Sequence, residues 1–154
     1  MPLPRTVSDR FGNLYRLHLR PDSRMWTFSI SAGELPVGYA YCWLLGKTEG
    51  IRINDICIRD DIPVIRSPLL TFIRSLFHLP VQYHDFRRRG IGTALLRAIV
   101  ATAKANGYRR VLGEVKSHDR QRFVGLPDWY FRNGFQVMRE GGRILIACET
   151  SLPV

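Results

Sequence analysis

Residues 84–96 read HDFRRRGIGTALL, and the fold turns on them. Gly90 and Gly92 stand two apart, and a backbone without Cβ atoms lets its amides approach a ligand closely. Downstream, Leu95, Leu96, Ile99 and Val100 recur at helical spacing, and Asn106-Gly107 is a stop signal. A helix that opens at the glycines leaves its first N–H groups without intrahelical acceptors and points the positive end of its dipole at them. Arg87, Arg88 and Arg89 set three cations alongside. Physically this is a diphosphate-binding corner, and a tight turn with solvated arginines is the other reading of the same residues. A Walker loop is excluded because the required lysine does not follow. A dinucleotide fingerprint is excluded because Leu95 holds the place of its third glycine.

Upstream of the corner, strands dominate. Leu14, Tyr15, Leu17 and Leu19 predict a strand over about 14–20, the turn-like RPDSR leads to MWTFSIS (25–31), and AGELP precedes VGYAYCWLL (37–45). In IRINDICI (51–58), Ile51 and Ile53 alternate with polar residues, and Ile56 and Ile58 do so again after one break in phase. Four strands on short turns imply an antiparallel meander. Asp60-Asp61 and Pro63 stop the last of them. Leu69, Leu70, Phe72, Ile73, Leu76 and Phe77 then predict a helix over Pro68–Phe77 that Pro80 ends. Beyond the corner come a strand in YRRVLGEV (108–115), a short helix in LPDWYFRNG, and a closing hairpin of FQVMRE and RILIACE across Gly141-Gly142. The expected fold class is α/β (α+β), a mixed sheet in one domain over residues 1–154.

Composition narrows the function. A chain of 154 residues suits one domain, and 45% hydrophobic with 23% charged residues is an ordinary globular balance. No apolar run approaches the roughly 20 residues a membrane span needs, so no membrane is expected. MPLPRTVSDRFG has no apolar signal core. Cys42, Cys57 and Cys148 read as free thiols in a cytoplasmic protein, and four histidines with three cysteines show no ligand spacing, so no metal is expected. The net charge is +10, and 20 of the 23 cations are arginine. Residues 87–143 hold thirteen cations against four anions, whereas residues 1–86 hold ten against eight. An anionic partner would dock on the second half, with nucleic acid one candidate and simple solubility the plain alternative.

The chain resembles the GNAT superfamily of acyl-CoA-dependent N-acetyltransferases. Their pyrophosphate loop reads [Q/R]-x-x-G-x-[G/A], and here it is Arg87-Arg88-Arg89-Gly90-Ile91-Gly92. Their second landmark is Tyr-x-x-x-Gly-Phe, here Tyr130-Phe131-Arg132-Asn133-Gly134-Phe135. Both stand in the family's order, and the likeness covers about residues 25–148. It implies a mostly antiparallel central sheet flanked by helices, and acetyl-CoA as cosubstrate. Arg87, Arg88, Arg89, Gly90, Ile91, Gly92 and Thr93 would bind it, with the amides of 88–93 on the pyrophosphate. Ile56, Cys57 and Ile58 would pair with the pantetheine as a pseudo-strand. An acceptor amine would attack the thioester directly, with Tyr130 protonating or hydrogen-bonding the departing thiolate; a core aromatic is the other reading of Tyr130. Asp55 and Glu114 are the candidate bases, and His84, His118 and Asp119 are further candidates in loops. A solvated or structural role is the other reading of each, and the resemblance also implies that a water chain can replace a fixed base.

Three departures stand out. The family's two helices after the first strand are missing, since only Pro21–Arg24 and their neighbours separate the first two strands. Residues 59–83 intervene before the pyrophosphate loop, and the helix within them is expected to replace that wall or cover the acceptor cleft. Val81–Tyr83 could instead supply the strand end and move the pantetheine contacts there. Phe123 stands where the family commonly has asparagine, so Asp119 or Ser117 would substitute. The expected activity is acetyl transfer from acetyl-CoA to a primary amine of an unidentified acceptor. A non-catalytic acyl-CoA sensor, or a nucleic-acid module using Arg109, Arg110, Arg120 and Arg122, is the alternative. An RNA- or ribosome-bound acceptor and a homodimer both stay open.

Overall fold

Alternation of apolar and polar side chains builds most of the sheet. The computed structural model describes residues 6–63 and 83–150. Its strands are β1 (Thr6–Ser8), β2 (Leu14–Pro21), β3 (Met25–Ala32), β4 (Leu35–Gly46), β5 (Gly50–Ile58), β6 (Ile62–Pro63), β7 (Tyr83–His84), β8 (Arg110–Val115), β9 (Gln136–Glu140) and β10 (Arg143–Glu149). Its helices are α1 (Ile91–Ala105), α2 (Ser117–Arg122) and α3 (Leu126–Arg132). Eight strands form one sheet in the order β1-β2-β3-β4-β5-β8-β10-β9, antiparallel except where β5 meets β8. β2 and β3 are joined by Asp22–Arg24 with no helix between them. The helix expected over Pro68–Phe77 lies outside the described residues.

Register carries the apolar residues to one face. Phe28 faces Ala40 and Ala40 faces Ile56; Cys42 faces Ile53, Ile53 faces Gly113 and Gly113 faces Ile146. Against that face lies α1, whose buried stripe is Ile91, Leu95, Leu96, Ala98, Ile99, Thr102 and Ala103. Each fully buried Leu or Ile there contributes roughly 1.5–3 kcal/mol relative to exposure. The helix stops where the sequence predicts. Gly107 takes a φ of 74°, its N–H donates to Lys104 O at 3.0 Å, and Tyr108 N–H donates to Ala103 O at 3.0 Å. The opposite face of the sheet carries Tyr41 and Trp43, 36% and 48% exposed.

A bulge in β5 and an early end to its pairing with β8 open the sheet at its centre. Tyr41 stands opposite Asp55 and Cys42 opposite Ile53, so Asn54 is an extra residue. This bulge is the break in phase visible in the sequence, and it returns Ile56 to the side of Ile53. The parallel ladder with β8 then covers only Ile51–Ile53 against Val111–Gly113. Beyond it β5 runs on to Ile58 and β8 to Val115, and the two strands are no longer paired.

Four elements were not anticipated. β1, β6 and β7 span two or three residues, too few for a period to show. α2 occupies part of what reads as a loop, and none of its residues is buried. Tyr83–His84 pairs with Ile62–Pro63 in a separate two-stranded ladder. The strand beside β8 is therefore the one that ends at Ile58, not one through residue 83.

Candidate active site

The loop before α1 is built by carboxylates and positive φ angles. Asp85 Oδ1 accepts the Arg87 backbone N–H at 2.8 Å, and Asp85 takes the Arg87 guanidinium at 3.0 and 3.1 Å. Hydrogen bonds from Arg87 outweigh burial and hold the Asp85 carboxyl below its usual range. Arg87 Nη1 also lies 2.7 Å from Asp60 Oδ2, which Arg122 approaches at 3.6 Å. The Arg87 side chain thus ties the loop to the end of β5. Arg88 (φ 57°) and Gly90 (φ 87°) are left-handed, and Gly90 is the N-cap with no side-chain cap. The first backbone bond of the helix is Ala94 N–H to Gly90 O at 3.0 Å. Residues 86–89 form a tight turn, and the amides of Arg88, Gly90, Ile91, Gly92 and Thr93 have no acceptor among the described residues. Five donors without acceptors among the described residues thus stand at the positive end of the helix dipole.

Gly92 lies between β5 and α3. A Cβ there would sit 3.5 Å from Trp129 Cζ2 and 3.6 Å from Ile58 Cγ1. The Trp129 indole N–H donates to Thr93 Oγ1 at 3.2 Å. Trp129 and Ile58 therefore flank the helix start, and Ile56 and Ile58 are partly buried on the same side.

Tyr130 follows on α3. It is 5% exposed, its ring centroid 4.7 Å from that of Trp129 and 5.5 Å from that of Phe135. The Tyr-x-x-x-Gly-Phe pattern is a helix stop: Phe135 N–H donates to Tyr130 O at 3.1 Å, Gly134 N–H donates to Phe131 O at 3.0 Å, and Gly134 is left-handed at φ 87°. The two rings supply the apolar contact that accompanies such a cap. Burial pushes the Tyr130 phenol above its ordinary value, and the Asp119, Asp55 and Cys42 side chains add to the shift. Its hydroxyl has no hydrogen-bond partner among the described residues.

The candidate bases fall in different settings. Asp55 is exposed opposite Tyr41, and Cys57 is half-buried opposite Tyr39, with the two tyrosine rings 5.1 Å apart. Burial raises the Cys57 thiol, and burial with Cys57 and Asp55 nearby pushes the Tyr39 phenol up to about 12. Glu114 on β8 is bound to Arg52, Oε2 to Nη2 at 3.5 Å. His118 Nε2 meets Asp119 Oδ1 at 3.1 Å, and exposed His84 rests its ring against Phe86 at 5.9 Å. Tyr130 is thus buried, Asp55 lies exposed beside Tyr41 on the other face of the sheet, and Glu114 is held by a cation. Phe123 lies under two guanidinium groups, Arg87 at 5.9 Å and Arg122 at 5.6 Å. Surface hollows at the β9–β10 turn and along β1–β2 contain none of these residues. Among the described residues no cluster of His, Cys, Asp or Glu could hold a metal ion, and no helix is long and apolar enough to cross a membrane.

The sequence reading missed Trp129 and Asp60. Neither carries a local signal, since each acts across a tertiary contact.

Comparison with known proteins bears on the fold and the family. No curated protein sequence matches the chain. Among solved structures, it is similar to the ribosomal-protein-S18-alanine N-acetyltransferase of Escherichia coli, with a TM-score of 0.56 at 14% identity over 87% of this chain and 74% of that one. A GNAT family acetyltransferase of Elizabethkingia anophelis with acetyl-CoA bound gives 0.55 at 12% identity, over 88% and 97%. The PaiA N-acetyltransferase of Thermoplasma acidophilum in complex with coenzyme A gives 0.54 at 16% identity, over 82% of this chain. The chain spans only 61% of that protein's length. At such identities these likenesses establish the fold. The family is established by a sequence profile that matches residues 2–124, described as the acetyltransferase (GNAT) family. The chain, with its split sheet and its glycine-opened helix, belongs to the GNAT acetyltransferase family.

Proposed function

We propose that the protein transfers an acetyl group from acetyl-CoA to a primary amine, by direct attack while both substrates are bound. The observation that carries this reading is the set of five amides, Arg88 and Gly90 to Thr93, that have no acceptor among the described residues at the start of α1. A diphosphate is the kind of anion that a helix start with free amides and adjacent arginines can hold. The unpaired edge of β5 beyond Ile53, including Ile56, Cys57 and Ile58, offers backbone groups to the amides of a pantetheine arm. Arg87 acts in this reading by holding the loop, because its guanidinium is bound to Asp60 and Asp85.

Acetyl-CoA supplies the activated acyl carbon. The amine lone pair forms the C–N bond, the C–S bond breaks, and the thiolate takes a proton from the Tyr130 hydroxyl or accepts its hydrogen bond. Asp55, at the bulge of β5 where its pairing with β8 ends and without an ion-pair partner among the described residues, takes the proton that the amine sheds. Glu114 is a weaker candidate, since Arg52 engages it. The nucleic-acid alternative would draw on Arg109, Arg110, Arg120 and Arg122, of which only Arg122 pairs with a carboxylate, Asp60, among the described residues. The free cysteines suit a reducing cytoplasm.

Calorimetry with CoA, followed by thiol release from acetyl-CoA across a panel of amines, tests the proposal. Binding with amine-dependent thiol release supports it. Binding without acceleration by any amine turns the reading to an acyl-CoA sensor, and no binding removes both.

A further inference from the structure

Asp9 is 6% exposed, yet it is a carboxylate in a five-residue turn between β1 and β2. It accepts four hydrogen bonds, each of 2.9 Å: the Phe11 and Asn13 backbone N–H groups on Oδ1, and Asn13 Nδ2 and the Tyr15 hydroxyl on Oδ2. Two backbone bonds close the same turn, Asp9 N–H to Asn13 O at 3.0 Å and Gly12 N–H to Asp9 O at 3.1 Å. A hairpin of this length needs no buried charge at its centre. The next residue explains its use. Arg10 N–H donates to Arg89 O at 2.8 Å, within the loop whose other amides have no acceptor among the described residues.

We infer that Asp9 is a positioning residue for the phosphate-binding loop: it rigidifies the turn from which Arg10 N–H pins the Arg89 carbonyl. This rests on the function proposed above. In a planar trans peptide the C=O and N–H point in opposite directions. Holding the Arg89 carbonyl on Arg10 therefore aims the Gly90 N–H away from the turn, toward the open side of the loop. Tyr15 makes a second connection. Its hydroxyl is on Asp9, its ring meets Phe86 edge-on at 6.4 Å, and Phe86 lies under the Arg89 guanidinium at 5.2 Å. Both routes from the carboxylate end on Arg89. Without them, a left-handed Arg88 and Gly90 would sample other conformations before any ligand arrived, and binding would bear the cost of ordering them.

The test compares the wild-type chain with Asp9→Asn and Tyr15→Phe. CoA affinity is measured by calorimetry, turnover with acetyl-CoA and with acetyl-pantetheine, which lacks the diphosphate, and loop order from backbone amide relaxation. Asp9→Asn should weaken CoA binding about tenfold, the loss expected when hydrogen bonds to a charged group are removed. The KM for acetyl-CoA should rise with it, kcat/KM should fall less for acetyl-pantetheine, and the Gly90–Thr93 amides should lose order. Tyr15→Phe keeps three of the four bonds and should move the same quantities by less; it carries the test if Asp9→Asn does not fold. Equal losses with both donors, or unchanged CoA affinity and loop order in a folded variant, would overturn the inference. Wild-type protein that binds no CoA would overturn the functional reading, while relaxation would still decide whether the turn orders the loop.

Discussion

The Trp129 indole N–H donates to the Thr93 hydroxyl oxygen at 3.2 Å, joining residues 36 apart in the chain. It fastens the helix that carries Tyr130 to the start of the helix that carries the amide cradle, so the groups proposed for sulfur and for phosphate keep one spacing. With a lone pair occupied, the Thr93 hydroxyl hydrogen is left to point elsewhere. Trp129→Phe keeps the ring and removes the donor. It should cost about 1 kcal/mol in thermal unfolding and raise the KM for acetyl-CoA. A KM equal to wild type would show that the bond only stabilises.

Tyr130→Phe should lower kcat about tenfold, a modest effect for an acid because a thiolate departs readily. CoA affinity should hold. Because its pKa is raised, the phenol keeps its proton throughout the neutral range and past its ordinary titration near pH 10. Its ionisation contributes no alkaline limb to the rate below that pH. Ultraviolet titration of the variant against wild type would reveal an earlier-ionising tyrosine if this is wrong.

The two loop glycines should respond differently to alanine. Gly90 has a φ of 87°, so Gly90→Ala should cost about 1–2 kcal/mol and weaken CoA binding as the loop shifts. At Gly92 the new Cβ would meet Trp129 and Ile58 at 3.5 and 3.6 Å, ordinary contact distances, and φ is not positive. Gly92→Ala should unfold within about 0.5 kcal/mol of wild type. Melting curves of the two variants decide.

Asp55 and Glu114 separate by their partners. Asp55→Asn should reduce kcat about a hundredfold near neutral pH if that carboxylate receives the amine proton. Glu114→Gln removes an exposed pair with Arg52 worth about 0–1 kcal/mol and should leave most activity. Steady-state rates showing the reverse order would transfer the base to β8.

Acid should expose the carboxylate of Asp9. Burial alone would raise it, but hydrogen bonds from Asn13, Tyr15 and Phe11 outweigh that and hold it at about 2. A lowered folded pKa means stability present above the ordinary carboxyl value and lost as pH falls through the folded one. The stability gap between wild type and Asp9→Asn should be full near pH 5 and shrink between about pH 4 and pH 2. Denaturant midpoints across that range check it.

Local physics made much of this protein legible in its sequence. Alternating side chains specify the strands because one face of a sheet is buried, and the skipped beat around Asn54 is the bulge itself. Gly90, Gly107 and Gly134 mark a helix start and two helix stops because each takes a positive φ. By contrast α2, with no buried residue, has no apolar period to read. Tertiary structure alone decided that β5 and β8 share just three paired positions before parting, that Arg87 is bound by Asp60 and Asp85, and that Arg10 holds Arg89. Those contacts join segments distant in the chain. Their partners are selected by how the sheet and α1 pack, and no spacing along one strand or helix encodes that choice.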